Sequence, residues 1–212
     1  MLKAILWDND GVLVDTEGLY FEACRDELAA QGVAIDEVAF TETFLKSSEG
    51  IRAFVGDMAE EEFQALRTRR NERYSALLQA GVVPIDGVED TLGTLHGKVQ
   101  MGVVTGSRGD HFAMIHSSTG LLSYFDFALV REDYQESKPD PEPYLTAMAR
   151  NNLAADECLV VEDSERGLQA AVAAGIRCVV IPRGLTRSSD FSKAHVVLNE
   201  IGEFRVLALS MV

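Results

Sequence analysis

The sequence predicts an α/β fold, a parallel sheet with helices on both faces, interrupted early by an all-helical insertion. Three observations carry this. A strongly apolar stretch opens the chain at Leu2–Trp7 and ends abruptly in acids. From about residue 87 onward, short apolar runs alternate with helical patterns, which implies parallel strands joined by crossover helices. Between these regions, residues 17–83 carry helical periodicity and no strand pattern.

Taken in order, Leu2, Ala4, Ile5, Leu6 and Trp7 read as a strand buried on both faces, followed at once by Asp8, Asn9, Asp10 and Gly11. Two carboxylates two residues apart point to one side of an extended chain, and the glycine permits a sharp turn. Residues 16–31 read as a helix led by Thr16 and Glu17 and stopped by Gly32. Residues 36–46 and 48–57 read as two short helices. Residues 59–80 read as a longer one, with Glu60, Glu61 and Glu62 early and Arg67, Arg69, Arg70 and Arg73 later, as the helix dipole favours. The remaining elements are expected as helix 88–96, strand 99–104, helix 109–119, strand 126–130, helix 142–151, strand 157–161, helix 165–174, strand 177–181, a weak strand 195–198 and helix 199–209. The boundaries that follow are 1–16 plus 84–212 for the sheet-bearing core and 17–83 for the insertion.

The chain has 212 residues, 47% hydrophobic and 25% charged, which is an ordinary globular composition with ample length for a core. A net charge of −15 argues against a general nucleic-acid or anionic-membrane binder. Such a protein needs a local cation to handle an anionic substrate, which points towards a metal. Cys24, Cys158 and Cys178 form neither a disulfide framework nor a zinc pattern, so a reducing, cytoplasmic setting is expected. No apolar run is long enough to span a bilayer, and the first meets Asp8 too soon for a signal peptide. A monomer acting on a small molecule is the expectation.

Polar groups recur at predicted strand ends: Asp8 and Asp10, Thr105 and Ser107, Lys138 in a following loop, Glu162 and Asp163. Each has an ordinary explanation. Asp-x-Asp-Gly is common in turns, Thr105 and Ser107 suit a helix cap, and a loop lysine is usually solvated. Ligands of open parallel sheets bind beyond the carboxyl ends of the strands, however, and all four groups fall there. Together they supply acids for a divalent cation, hydroxyl donors and a fixed positive charge.

The segments DNDGVLVDTE (8–17), VVTGS (103–107), SKPDPEPY (137–144) and VEDSERGLQAAVAAG (161–175) resemble, in order and spacing, the four motifs of the haloacid dehalogenase superfamily. Within it they resemble the branch of β-phosphoglucomutases and small-molecule phosphatases, whose helical cap follows the first motif. The resemblance implies a Rossmann-like core, Mg²⁺ and phosphoryl transfer through an aspartyl phosphate. It implies Asp8 as nucleophile and Asp10 as general acid and base. It implies Lys138 and Thr105, with the backbone near Gly106 and Ser107, as partners of the phosphoryl oxygens. The metal would be held by Asp8, Asp163 and the Asp10 carbonyl, with Glu162 in or beside that set.

Dehalogenation is disfavoured because dehalogenases lack the second acid, present here as Asp10. A phosphomutase is the serious competitor. Such enzymes carry a histidine where this chain has Tyr20 and a cap-loop arginine where it has Ser47-Ser48-Glu49; their cap lysine corresponds to Arg70. Lys46, Ser47, Ser48 and Arg70 are the candidate substrate contacts of the insertion. Arg108 and His111 are further candidates, although a histidine early on a helix is more often exposed or capping.

Overall fold

The computed structural model describes all residues 1–212. Six strands form one sheet: β1 (Ala4–Trp7), β2 (Gln100–Val104), β3 (Phe127–Leu129), β4 (Cys158–Glu162), β5 (Arg177–Val180) and β6 (Val196–Val197). Their spatial order is β3-β2-β1-β4-β5-β6, and every pairing is parallel. The chain builds outward from β1 to one side, then crosses to the other. The carboxyl ends of β2, β1 and β4 thus lie side by side, with Trp7 level with Val103 and Val161.

Strand alternation divides the core into two layers. Ile5, Trp7, Met101, Val103, Leu159, Val161 and Val179 face one layer, where helices α5 (Val88–Leu95) and α9 (Ile201–Leu209) pack together and Trp7 meets Phe204 edge-on at 5.0 Å. Ala4, Leu6, Val104, Val160, Cys178 and Val180 face the other, against α7 (Glu142–Asn151) and α8 (Glu165–Ala173). Both faces are covered, so β1 is apolar at every position. Helix α6 (Gly109–His116) covers the end of the first layer. It ends at His116, short of the expected residue 119, and a short 3₁₀ segment follows the left-handed Gly120, whose φ is +70°.

The insertion contains α1 (Glu17–Ala29), α2 (Glu37–Phe40), α3 (Arg52–Val55) and α4 (Glu60–Gln79), with α1 packed on α4. Cys24, Leu28, Phe40, Phe44, Ile51, Phe63 and Leu66 form a buried cluster of their own, while Ala23, Tyr74 and Leu78 of α1 and α4 join the first sheet layer. The two short helices expected here are more broken than their periodicity suggests. Helix α2 runs into a π-helical turn at Thr41–Leu45, where the Thr41 and Thr43 hydroxyls bond the carbonyls of Glu37 and Ala39 at 2.8 Å. The chain leaves and re-enters the core through adjoining segments, with Val14 bridged to Pro84 and the Ile85 amide bonded to the Leu13 carbonyl at 2.9 Å. All three cysteines are free and buried, and no helix is long and apolar enough to cross a membrane.

Candidate active site

Residues 8–17 leave β1 through a turn that Gly11 makes possible. Its φ is +78°, and a Cβ there would lie 2.2 Å from the Asp163 carboxylate, so the acid after β4 packs directly on this backbone. Asp8 is 9% exposed at the base of the site. Its Oδ1 accepts from Lys138 Nζ at 2.8 Å, and the same ammonium donates to Glu162 Oε1 at 2.7 Å and to the Val104 carbonyl at 2.9 Å. All three ammonium hydrogens are thereby used on three different strand ends, which holds a loop residue rigidly beside Asp8. The solvated-loop reading of Lys138 is excluded: the residue is 4% exposed.

Glu162 is fully buried beneath this pair. Its Oε1 also accepts from Tyr144 Oη at 2.7 Å, and its Oε2 from Ser164 Oγ at 3.1 Å. A Cβ on Gly167 would lie 1.9 Å from this carboxyl, so the opening turn of α8 is moulded to it. Both oxygens are thus committed to protein donors, and the cation at Lys138 is what this side chain chiefly serves. Burial opposes ionisation of Glu162, but Lys138 and the hydroxyl donors hold its carboxyl below the usual value. Burial would likewise lower the Lys138 pKa, yet Asp8 and Glu162 raise it, so the ammonium stays charged.

Asp10 sits on the other side of Asp8. Its Oδ1 accepts from the Thr16 hydroxyl, and its Oδ2 from Ser107 Oγ at 2.6 Å and Thr105 Oγ at 3.3 Å. Thr16, which leads α1, spends its hydroxyl on Asp10 and makes no cap bond. Thr105 is fully buried under Gly106 and Ser107, its hydroxyl also accepting from the Ser107 amide at 3.0 Å. Gly106 and Ser107 themselves line the cavity.

A cluster of oxygens suited to a divalent cation lies beside Asp8. Ligand atoms of Asp8, Glu162 and Asp163 fall within 4.8 Å of one another, all buried. Burial first, then the Glu162 carboxylate, pushes the Asp8 carboxyl up to about 7 despite Lys138. Asp163 is raised well above the usual range by burial and by Glu17, Glu162 and Asp8. Glu17, bonded to Asp163, is itself pushed up to about 8, mainly by burial. One ammonium does not balance this many buried acids, and hard carboxylate oxygens are the donor set Mg²⁺ prefers. The residues therefore fit the metal, with Asp8 and Asp163 carrying oxygens not fully used by protein donors. The Asp10 carboxylate is turned to its hydroxyl partners and lies outside this oxygen cluster.

These groups form one end of a cavity of about 530 Å³ between the sheet edge and the helical insertion. Of the insertion's candidates, Ser48 and Arg70 line it and Lys46 does not; Lys46 pairs with Glu42 at 2.6 Å. Arg70 is buried and donates to the Tyr20 hydroxyl. Arg108 lines the cavity but pairs with Asp110 at 2.7 Å. His111 departs from the expectation of exposure: it is 4% exposed, edge-on to Tyr74 at 5.0 Å and bonded to Ser75 Oγ at 3.1 Å. The cause is α4 packing on α6, which no local pattern announces. Tyr144, Glu17, Arg166 and Thr186, whose hydroxyl lies 3.4 Å from Asp163, were not identified from sequence. Glu17, Tyr144 and Arg166 carried a signal, by falling inside the first, third and fourth motifs; Thr186 carried none.

His116 supports the site from behind and gives a pH-dependent stability. Its Nε2 donates to Asn9 Oδ1 at 2.8 Å, between the two aspartates, and burial lowers its pKa to about 4. The unfolded chain binds a proton near 6.5 that the folded one refuses until about 4, so this contribution is complete above 6.5 and lost as pH falls. Between pH 7 and 5 the expected loss is about 2 kcal/mol. Denaturant titrations at the two pH values should show that loss in the wild type relative to His116→Gln, which has no imidazole to charge. Parallel pH dependence of the two proteins would refute the assignment.

The sequence signature of the family described as "Haloacid dehalogenase-like hydrolase" matches residues 5–181. The chain is 31% identical to validoxylamine A 7'-phosphate phosphatase of Streptomyces hygroscopicus subsp. limoneus, over 97% of each protein. It is 28% identical to the fructose-1-phosphate phosphatase YqaB of Escherichia coli (strain K12), over 82% of this chain and 94% of that one. Among solved structures, CbbY from Rhodobacter sphaeroides in complex with phosphate superposes with a TM-score of 0.84 at 28% identity, covering 96% of each chain.

Proposed function

The chain belongs to the haloacid dehalogenase-like hydrolase family, and from that premise we propose that it is a Mg²⁺-dependent phosphatase of small phosphorylated metabolites. The observation that carries this is the Lys138–Asp8 pair, 2.8 Å apart and buried at the closed end of the cavity, with Asp10 alongside. An ammonium tied to the attacking carboxylate offsets the repulsion between that carboxylate and a phosphate anion.

In the first half-reaction Asp8 attacks phosphorus and the ester oxygen departs with the proton of Asp10. The aspartyl phosphate is then hydrolysed by a water whose proton returns to Asp10, releasing inorganic phosphate and regenerating both carboxyls. Ser107, whose hydroxyl is 2.6 Å from Asp10, keeps that carboxyl aimed at the leaving oxygen. Mg²⁺, held by Asp8 and Asp163 with the Asp10 carbonyl, would neutralise charge on the phosphoryl oxygens. Residues 17–83 act as a cap over the site in this reading, the paired crossings at Val14 and Pro84 serving as its hinge.

The competing phosphomutase must return the phosphoryl group to a sugar hydroxyl. Tyr20 stands where the mutases carry a histidine, and its hydroxyl is engaged by Arg70; Glu49 lines the cavity where they carry an arginine. Both features favour water as acceptor. A panel of phosphorylated metabolites assayed with Mg²⁺ for phosphate release tests the proposal, and β-glucose 1-phosphate with catalytic glucose 1,6-bisphosphate serves as the mutase arm. Release of free phosphate from several esters is expected. Efficient glucose 6-phosphate formation with little free phosphate would instead establish the mutase.

A further inference from the structure

Asn9 stands between the two aspartates and is fully buried. Burying an amide costs free energy that an apolar side chain of the same size does not, so its presence there calls for a reason. The backbone does not supply one. The Asn9 carbonyl closes the turn after β1 by accepting from the amides of Leu13 at 2.8 Å, Val14 at 3.2 Å and Val12 at 3.3 Å, but any residue brings a carbonyl. The side chain makes two further bonds. Its Oδ1 accepts from His116 Nε2 at 2.8 Å, and its Nδ2 donates to Asp10 Oδ2 at 3.3 Å.

The direction of each bond in this chain follows from its far end. Asp10 Oδ2 is an acceptor, already receiving Ser107 Oγ at 2.6 Å and Thr105 Oγ at 3.3 Å, so the amide turns its nitrogen to it. The Asn9 oxygen then faces His116, whose Nε2 has to carry the proton. Nδ1 is left to accept from the Thr119 hydroxyl at 2.9 Å, and that hydroxyl accepts in turn from the Leu121 amide at 3.3 Å. All the donors therefore run one way, from just past the end of α6 to the Asp10 carboxyl. His116 is itself buried and held edge-on by Phe112 at 4.7 Å, so the relay starts from a packed part of the core.

We propose that Asn9 and His116 are positioning residues for the general acid: His116 fixes the Asn9 amide, and the amide sets the plane of the Asp10 carboxyl against the leaving oxygen. The inference rests on the phosphatase reading above and deepens it. Neither residue lines the cavity, so both act through Asp10. Thr16 holds Oδ1, and Ser107 and Thr105 hold Oδ2 from the end of β2. Asn9 adds a donor anchored through α6, which keeps the carboxyl from rotating about its own side chain when those hydroxyls turn to a substrate.

Esters with good and poor leaving groups test this. An alkyl phosphate needs the proton of Asp10 as its ester bond breaks, whereas 4-nitrophenyl phosphate releases a phenolate that is stable without it. Comparing kcat/KM confines the reading to the first half-reaction, before Asp10 activates water. His116→Phe and Asn9→Leu should each lower kcat/KM for the fastest alkyl phosphate of the metabolite panel by about tenfold, the order of one hydrogen bond, with a several-fold smaller loss for 4-nitrophenyl phosphate. His116→Gln returns an N–H and should lose less than His116→Phe. Each single apolar substitution strands one buried partner, whereas Asn9→Leu with His116→Phe removes both and should recover thermal stability. The alkyl phosphate defect should persist in that double variant, no deeper than in either single, because the two residues act as a unit. A defect that recovers along with stability, an equal loss on both kinds of ester, or no loss in the single variants would overturn the positioning role while leaving the phosphatase standing. Failure of the wild type to hydrolyse either kind of ester would remove the phosphatase reading and this inference with it.

Discussion

Replacing Asp8 by asparagine should abolish phosphate release while leaving a folded protein. The amide is nearly isosteric, and its oxygen can still accept from Lys138, whose other two bonds, to Glu162 and Val104, are untouched. The lost property is nucleophilicity, for which no neighbour substitutes: Glu162 is saturated by its own donors and Asp10 is turned towards Ser107 and Thr16. Turnover should fall by about 10⁴-fold or more, the order seen when a nucleophile is removed. Asp10→Asn should cost about 10²–10⁴-fold, the usual worth of general acid–base catalysis. Stability should move the other way. The buried Asp8 carboxyl is pushed up to about 7, so near pH 8 the metal-free wild type holds a charge its surroundings resist, and the neutral amide removes it. Phosphate release beside thermal denaturation of the same samples checks both halves. A retained rate of more than a few per cent would exclude the covalent route.

The sheet and the gathering of polar groups at its edge are legible in the sequence because both depend on short-range signals. The apolar runs of β1, β2 and β4 end where carboxylates and hydroxyls begin, and a parallel sheet brings those ends together whatever the details of packing. What was not legible depends on contacts far apart in the chain. Tyr144 looks like an ordinary helical aromatic until α7 packs against the sheet and brings its hydroxyl to Glu162. Glu17 and Thr16 were read as the start of a helix, which they are; their side chains turn inward to Asp163 and Asp10. His111 and His116 are adjacent turns of α6, yet one lines the cavity and the other braces Asn9 from behind. In the insertion, Lys46 and Arg70 were equally plausible by charge. Lys46 finds Glu42 one turn away, whereas the α1–α4 packing turns Arg70 inward to Tyr20, a choice set by tertiary geometry alone.

Removal of divalent metal should eliminate turnover, and Mg²⁺ should restore it. The reason lies in the balance of charge around Asp8. Asp8, Glu162 and Asp163 gather ligand oxygens within 4.8 Å, Glu17 adds a fourth acid through Asp163, and Lys138 is the single cation bonded into the group. A phosphate dianion cannot join such a cluster without further positive charge. The same imbalance predicts how binding responds to pH. With Asp8 raised to about 7 and Asp163 well above its usual range, the metal-free folded protein holds protons that the unfolded chain has released. These groups therefore stabilise the metal-free fold least at high pH, their contribution being lost progressively from about 4 up to about 7. Because Mg²⁺ requires ionised oxygens, its binding should release protons and tighten as pH rises from 6 to 8. Calorimetry in buffers of different ionisation enthalpy measures that release independently of catalysis. Thermal stability should rise with Mg²⁺ as well, by about 2.7 kcal/mol at a concentration 100-fold above Kd. Asp163→Asn should reduce both the proton release and the stabilisation, since Asp163 contributes an oxygen that no protein donor fully claims. Full turnover in excess chelator, or Mg²⁺ binding that neither releases protons nor depends on Asp163, would show that these acids do not form the metal centre.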